Sequence, residues 1–116
     1  MPRVHAAVSD LIFSSRIAAE ARAAGVEVVW VRSESACALW DQHPPQWLMV
    51  DLNLTAVDPL AIIRHARGLT PPPRIVAFLS HVQRELAQQA AYIGADMVLP
   101  RSAFVMQLPE LLRGVR

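Results

Sequence analysis

The chain contains no lysine: all eleven of its basic residues are arginine, so any site that calls for a cationic side chain must use a planar guanidinium. Cysteine is nearly absent too. The single Cys37 excludes an intramolecular disulfide and any multi-cysteine metal centre, fits a reducing compartment, and reads as a small core residue. The four glycines, Gly25, Gly68, Gly94 and Gly114, stand near the ends of helical segments and form no GxGxxG or P-loop cluster, which disfavours nucleotide binding. Charged residues make up only 18% of the chain, the net charge is +1 and the arginines are scattered, which leaves no electrostatic footprint for nucleic acid. No apolar run approaches the ~18 residues of a membrane span. Met1-Pro2-Arg3 begins no signal-peptide core, so a cytoplasmic protein with no membrane partner is expected. His5, His43 and His65 are too far apart for zinc-ligand spacing, and the lack of a GxSxG elbow argues against a hydrolase triad.

What the chain does have is apolar content, 53% of its 116 residues, enough to bury a core without staples, and residues 1–116 are expected to form one domain. Apolar runs of strand length alternate with segments of helical period, the pattern of repeated βα units. Strands are predicted at 4–8, 26–31, 47–50, 75–79 and 97–99. Helices are predicted at 12–24, 33–40, 59–67, 83–93 and 107–113. Gly25 stops the first helix, Ser33 caps the second, and Asp58 caps the third with Pro59 at N1. Pro109 is tolerated if it falls in the first turn of the last helix. Trp30, Trp40 and Trp47 are expected in the core or at its edge, and a partly exposed Trp40 would be a candidate partner anchor.

Right-handed crossovers in a five-unit chain of this size favour an α/β fold, a doubly wound parallel sheet of flavodoxin-like (βα)5 type with strand order 2-1-3-4-5. Strands one and three then meet at the topological switch point, and Asp10 and Asp51 lie at their carboxyl ends. Two carboxylates so placed can hold a hard divalent cation such as Mg²⁺, or can be solvated turn acids.

The block HPPQWLMVDLNLTAVDPL at 43–60, followed by FLSH at 78–81 and GADMVLPR at 94–101, resembles the receiver domain of bacterial two-component response regulators. The resemblance covers nearly the whole chain. It implies that Asp51 is the phospho-acceptor and that Asp10 is a metal-binding acid, with the backbone carbonyl of Asn53 completing the Mg²⁺ site. Ser80 would be the hydroxyl that bonds the phosphoryl group; His81 beside it is expected as a hydrogen-bonded loop histidine or else as a proton carrier, phosphoryl ligand or pH-sensitive partner of Asp51. In that chemistry the carboxylate is the nucleophile, while the cation and hydrogen-bond donors offset charge on the transferring phosphoryl.

Departures from the family pattern are as informative. Ser9-Asp10 stands where two acids are usual, so Mg²⁺ binding is possible but weak. Arg101 replaces the family's lysine, and a guanidinium can grip unmodified Asp51 bidentately. Ser102 stands where a proline is usual, so the loop after strand five is expected to be rebuilt, and the aromatic switch position holds Val98.

Two functions follow as expectations, neither of them enzymatic. One is a pseudo-receiver: a divergent signalling and protein-interaction module, weakly phosphorylated or independent of phosphate. The other is a phosphorylatable single-domain regulator taking phosphate from a histidine kinase onto Asp51 in a phosphorelay. No effector segment follows the fifth helix, so output is expected through a histidine kinase or downstream effector, with a possible homodimer through helix four, strand five and helix five. Exposed Tyr92, Val98 and Phe104 would supply its apolar surface.

Overall fold

In the computed structural model, which describes residues 2–80 and 83–115, five parallel strands form one sheet. They are β1 (Arg3–Ala7), β2 (Glu27–Trp30), β3 (Trp47–Asp51), β4 (Arg74–Leu79) and β5 (Met97–Pro100), in the order β2-β1-β3-β4-β5. The helices are α1 (Leu11–Ala24), α2 (Pro59–Arg67), α3 (Arg84–Ile93) and α4 (Arg101–Gly114). Helices cover both faces, so β3 and β4 read as nearly unbroken apolar runs. Their side chains still alternate between two cores. Leu48, Val50, Ile75, Ala77 and Leu79 pack toward α2 and α3, whereas Met49, Val76 and Phe78 pack with Ile17 of α1 and Phe104 of α4. Ala7 lies opposite Val50, which brings the ends of β1 and β3 together at the predicted switch point.

Local chemistry explains the helix ends. Asp10 caps α1: its Oδ1 accepts from the backbone N–H groups of Ile12 at 2.8 Å and Phe13 at 3.1 Å. Gly25 ends that helix at φ 72°, a conformation glycine adopts without a Cβ penalty. Asp58 caps α2 in the same way, with Pro59 following as the first helical residue.

Two predicted helices require correction. The second shrinks to a single 3-10 turn, Glu34–Cys37, and Ser33 bonds Ser35 at 2.8 Å without capping the backbone. Only Cys37 and Trp40 are buried in this stretch. A three-residue spacing suits 3-10 geometry and makes too narrow a stripe to hold an α-helix. The last helix begins six residues earlier than predicted, at Arg101 instead of Gln107, and holds Pro109 in its interior. Phe104, Leu108 and Leu112 are fully buried along one face of α4. Burial of about 1.5–3 kcal/mol for each such side chain outweighs the ~3 kcal/mol cost of an interior proline. Because α4 starts immediately after Pro100, no rebuilt loop separates it from β5, and the described chain has a cis bond only at Thr70-Pro71.

Trp40 takes its expected place in the core, while two expected surface contacts change. Trp40 is 2% exposed and packs edge-on against His5 and His65, so it anchors no partner. Phe104 is wholly buried and Val98 partly so, whereas Tyr92 is 91% exposed.

Candidate functional site

Asp51 closes β3 beside Phe78 of β4, on the sheet face covered by α1 and α4. It is one of two buried polar residues among those described, the other being Ser14. Its Oδ1 accepts from the Asn53 backbone N–H at 2.9 Å, a tight turn that holds the carboxylate at the strand end. From the first residue of α4, Arg101 places Nη2 at 3.2 Å from Oδ2 and 3.4 Å from Oδ1. One guanidinium nitrogen therefore faces both oxygens, instead of the two-nitrogen fork expected from the sequence. The Arg101 Nε is buried with no hydrogen-bond partner, and its guanidinium lies over the Phe13 ring at 4.9 Å.

Asn53 acts through its side chain as well as its backbone. Its Oδ1 accepts from the Ser80 backbone N–H at 3.2 Å, and its Nδ2 donates to Gln83 Oε1. Gln83 consequently makes no side-chain cap for α3. The sequence predicted only a carbonyl role for Asn53 and none for Gln83. An amide two residues past a strand-end acid, within reach of the neighbouring strand end, is the signal that was available. Ser80 lies at the end of β4, half-buried, bonded through its backbone to Asn53. His81 lies outside the described residues.

Asp10 lies just past β1, but its Oδ1 is committed to the N-terminal amides of α1. A hard cation wants several free oxygens, and no group of three or more acidic, histidine or cysteine ligands occurs among the described residues. Ser9 contributes no charge, and a guanidinium confronts both oxygens of Asp51. These donors do not fit a resident Mg²⁺ while Arg101 occupies the carboxylate.

An apolar hollow of about 300 Å³ lies elsewhere, between the 3-10 turn and α2, lined by residues that include Cys37, Ile62 and His65. Burial, with Glu34 adding to it, raises the Cys37 thiol above its ordinary range and makes it a poor nucleophile.

No family model matches the chain, and no curated protein matches it in sequence. Solved structures do match its fold. The signal receiver domain of a response regulator from Bermanella marisrubri is 21% identical, with a TM-score of 0.79 over 97% of this chain and 96% of that one. A response regulator protein from Burkholderia pseudomallei, solved with a phosphorylated aspartic acid, calcium ion and citrate, is 21% identical with a TM-score of 0.76. That match covers 100% of this chain and 67% of the other. The beryllofluoride-activated NtrC4 receiver domain dimer is 15% identical, with a TM-score of 0.77 and 100% of both chains covered. The chain has the receiver fold of response regulators.

Proposed function

We propose that the chain is a divergent receiver-like signalling module, a pseudo-receiver that works through protein contacts with Asp51 engaged by Arg101 and phosphorylated weakly or not at all. The observation that carries this reading is the single Arg101 nitrogen across both Asp51 oxygens, at 3.2 and 3.4 Å. A carboxylate attacks phosphorus with an oxygen lone pair, and a cation directed at both oxygens of a buried carboxylate lowers that nucleophilicity. The missing acid at Ser9 and the capping duty of Asp10 support the same reading, because both weaken the cation site. The module acts in the cytoplasm and catalyses no turnover of its own. Its partners are a histidine kinase or a downstream effector. A homodimer across α3, β5 and α4 would use Tyr92 as its main apolar contact, since Phe104 is unavailable.

A second reading, a phosphorylatable regulator, is favoured by one arrangement: Asn53 ties Ser80 to the Asp51 turn, where a phosphoryl group would need a hydroxyl donor. Titration with Mg²⁺ and then beryllofluoride, followed by tryptophan fluorescence and amide shifts, separates the two. The pseudo-receiver gives no saturable response at millimolar Mg²⁺, and Arg101→Lys improves the response. Saturable binding to the native chain that disappears in Asp51→Asn would instead establish the phosphorylatable reading.

A further inference from the structure

The aromatic residues beneath Arg101 form a continuous stack. The guanidinium covers Phe13 of α1 at 4.9 Å. Phe13 stacks on Phe78 of β4 with ring centres 5.3 Å apart, and Phe78 stacks on Phe104 of α4 at 4.2 Å. Phe78 is held by the sheet: it is the register partner of Asp51, and its carbonyl accepts from the Leu52 N–H at 2.9 Å. Arg101 and Phe104 are three apart on α4 and share one face of it. Two adjacent side chains of α4 thus close on two adjacent rings, one from α1 and one fixed in the sheet. Val98, at the family's aromatic switch position, has no ring with which to relay anything.

We propose that this stack is an internal relay, in which Arg101 reads the charge state of Asp51 and delivers it through Phe13 to the first turn of α1. The inference rests on the Arg101 lock. While Asp51 is an unmodified carboxylate, it holds the guanidinium down on the Phe13 ring. When Asp51 loses its charge or its oxygens are otherwise taken, Arg101 loses its only described anionic partner; its side chain is 32% exposed and can turn toward water. The cation–π contact then disappears, and the Phe13 ring keeps its stacking on Phe78 and its packing against the core but loses the charge above it. The turn it belongs to depends on Asp10, which accepts from the Ile12 and Phe13 amides through its side chain and from the Ser14 amide at 2.8 Å through its carbonyl. That turn carries Leu11 and Ile12 outward, 80% and 81% exposed. Its stability is therefore the quantity that changes at the surface. Lower on α4, Leu108 and Leu112 stay packed and serve as the fixed reference.

The test is amide hydrogen exchange and NMR on the full chain, with no ligand added. In Asp51→Asn, the Arg101 Nε–H resonance should shift, and the amides of Ile12, Phe13 and Ser14 should exchange roughly fivefold faster, the scale of one lost cation–π contact. Amides around Leu112 should not change. Arg101→Gln should give the same acceleration without touching Asp51. In Phe13→Leu, which keeps an apolar side chain, adding Asp51→Asn should still move the Arg101 resonance but should no longer change the three amides. If the resonance moves in Asp51→Asn while the α1 amides keep their rates, the relay is wrong and the lock stands. If the resonance does not move at all, the lock is wrong and the relay falls with it. Equal acceleration with Leu at position 13 would also overturn the relay, because the ring would then not be the carrier.

Discussion

Arg101 and Asp51 form an ion pair with unequal burial: the Asp51 side chain is 4% exposed and the Arg101 side chain 32%. The two halves of the pair therefore have different alternatives when the other is removed. A guanidinium near the surface regains water by rotating its long stem, whereas a carboxylate inside the sheet edge cannot. Arg101→Gln leaves Asp51 charged, buried and, among the described residues, supported through its side chain only by the Asn53 N–H. Breaking a fully buried pair costs about 3–5 kcal/mol, and the partial exposure of Arg101 brings this down to about 1–3 kcal/mol. Asp51→Asn removes the charge that is hard to solvate and should cost less, about 1 kcal/mol or under. Urea midpoints of the two variants at neutral pH check the order. An equal or larger loss in Asp51→Asn would mean that Arg101 is the member that cannot be solvated.

Much of the site's address was legible in the sequence because it depends on periodicity and caps. Asp51 follows an apolar run of strand length, and Asp58-Pro59 and Gly25 announce helix ends through local backbone chemistry. The contacts around Asp51 were less visible. That Arg101 reaches the carboxylate followed from the resemblance, but its single-nitrogen grip depends on where α4 begins, and α4 begins early because Phe104 and Leu108 find a core to enter. A local rule about Pro109 pointed to a later start. Similarly, Ser33 carries a capping signal, yet only Cys37 and Trp40 find burial nearby, so the helix it would cap never develops. The Phe13–Phe78–Phe104 stack joins three elements distant in sequence, and no pattern within any one of them reports it.

His5 gives the fold a pH dependence whose sign can be worked out. Its pKa is lowered chiefly by burial and secondarily by the Arg3 guanidinium, and its Nδ1 is buried without a partner. The ring packs edge-on against Trp40. In the unfolded chain His5 takes up a proton near pH 6.5, whereas the native state resists it to a lower pH. Between those two values the unfolded state binds more protons, so stability falls as the pH drops. The contribution is fully present above about pH 6.5 and is lost below it. Denaturant midpoints measured from pH 7.5 down to 5 should decline for the native chain and decline less for His5→Leu. A parallel decline in both would assign the dependence to groups other than His5.

Pro109 sits nine residues into α4, where it can neither donate to the Val105 carbonyl nor avoid crowding it. Interior proline costs a helix about 3 kcal/mol relative to alanine. Pro109→Ala should recover part of that. Two effects reduce the gain. Proline restricts the unfolded chain, and releasing that restriction costs about 0.4–1 kcal/mol. The ring also lines a hollow with Ala23 and Ala24 of α1, so trimming it removes some apolar contact, about 1 kcal/mol. The balance is a stabilisation of about 1 kcal/mol, read as a higher urea midpoint with an unchanged slope. The Arg101 resonance and the exchange of the Ile12–Ser14 amides should stay as they are, because the first turn of α4 lies above the proline and is anchored separately by Asp51 and Phe78. A loss of stability in Pro109→Ala would show that the ring's packing against α1 outweighs the hydrogen bond it forbids.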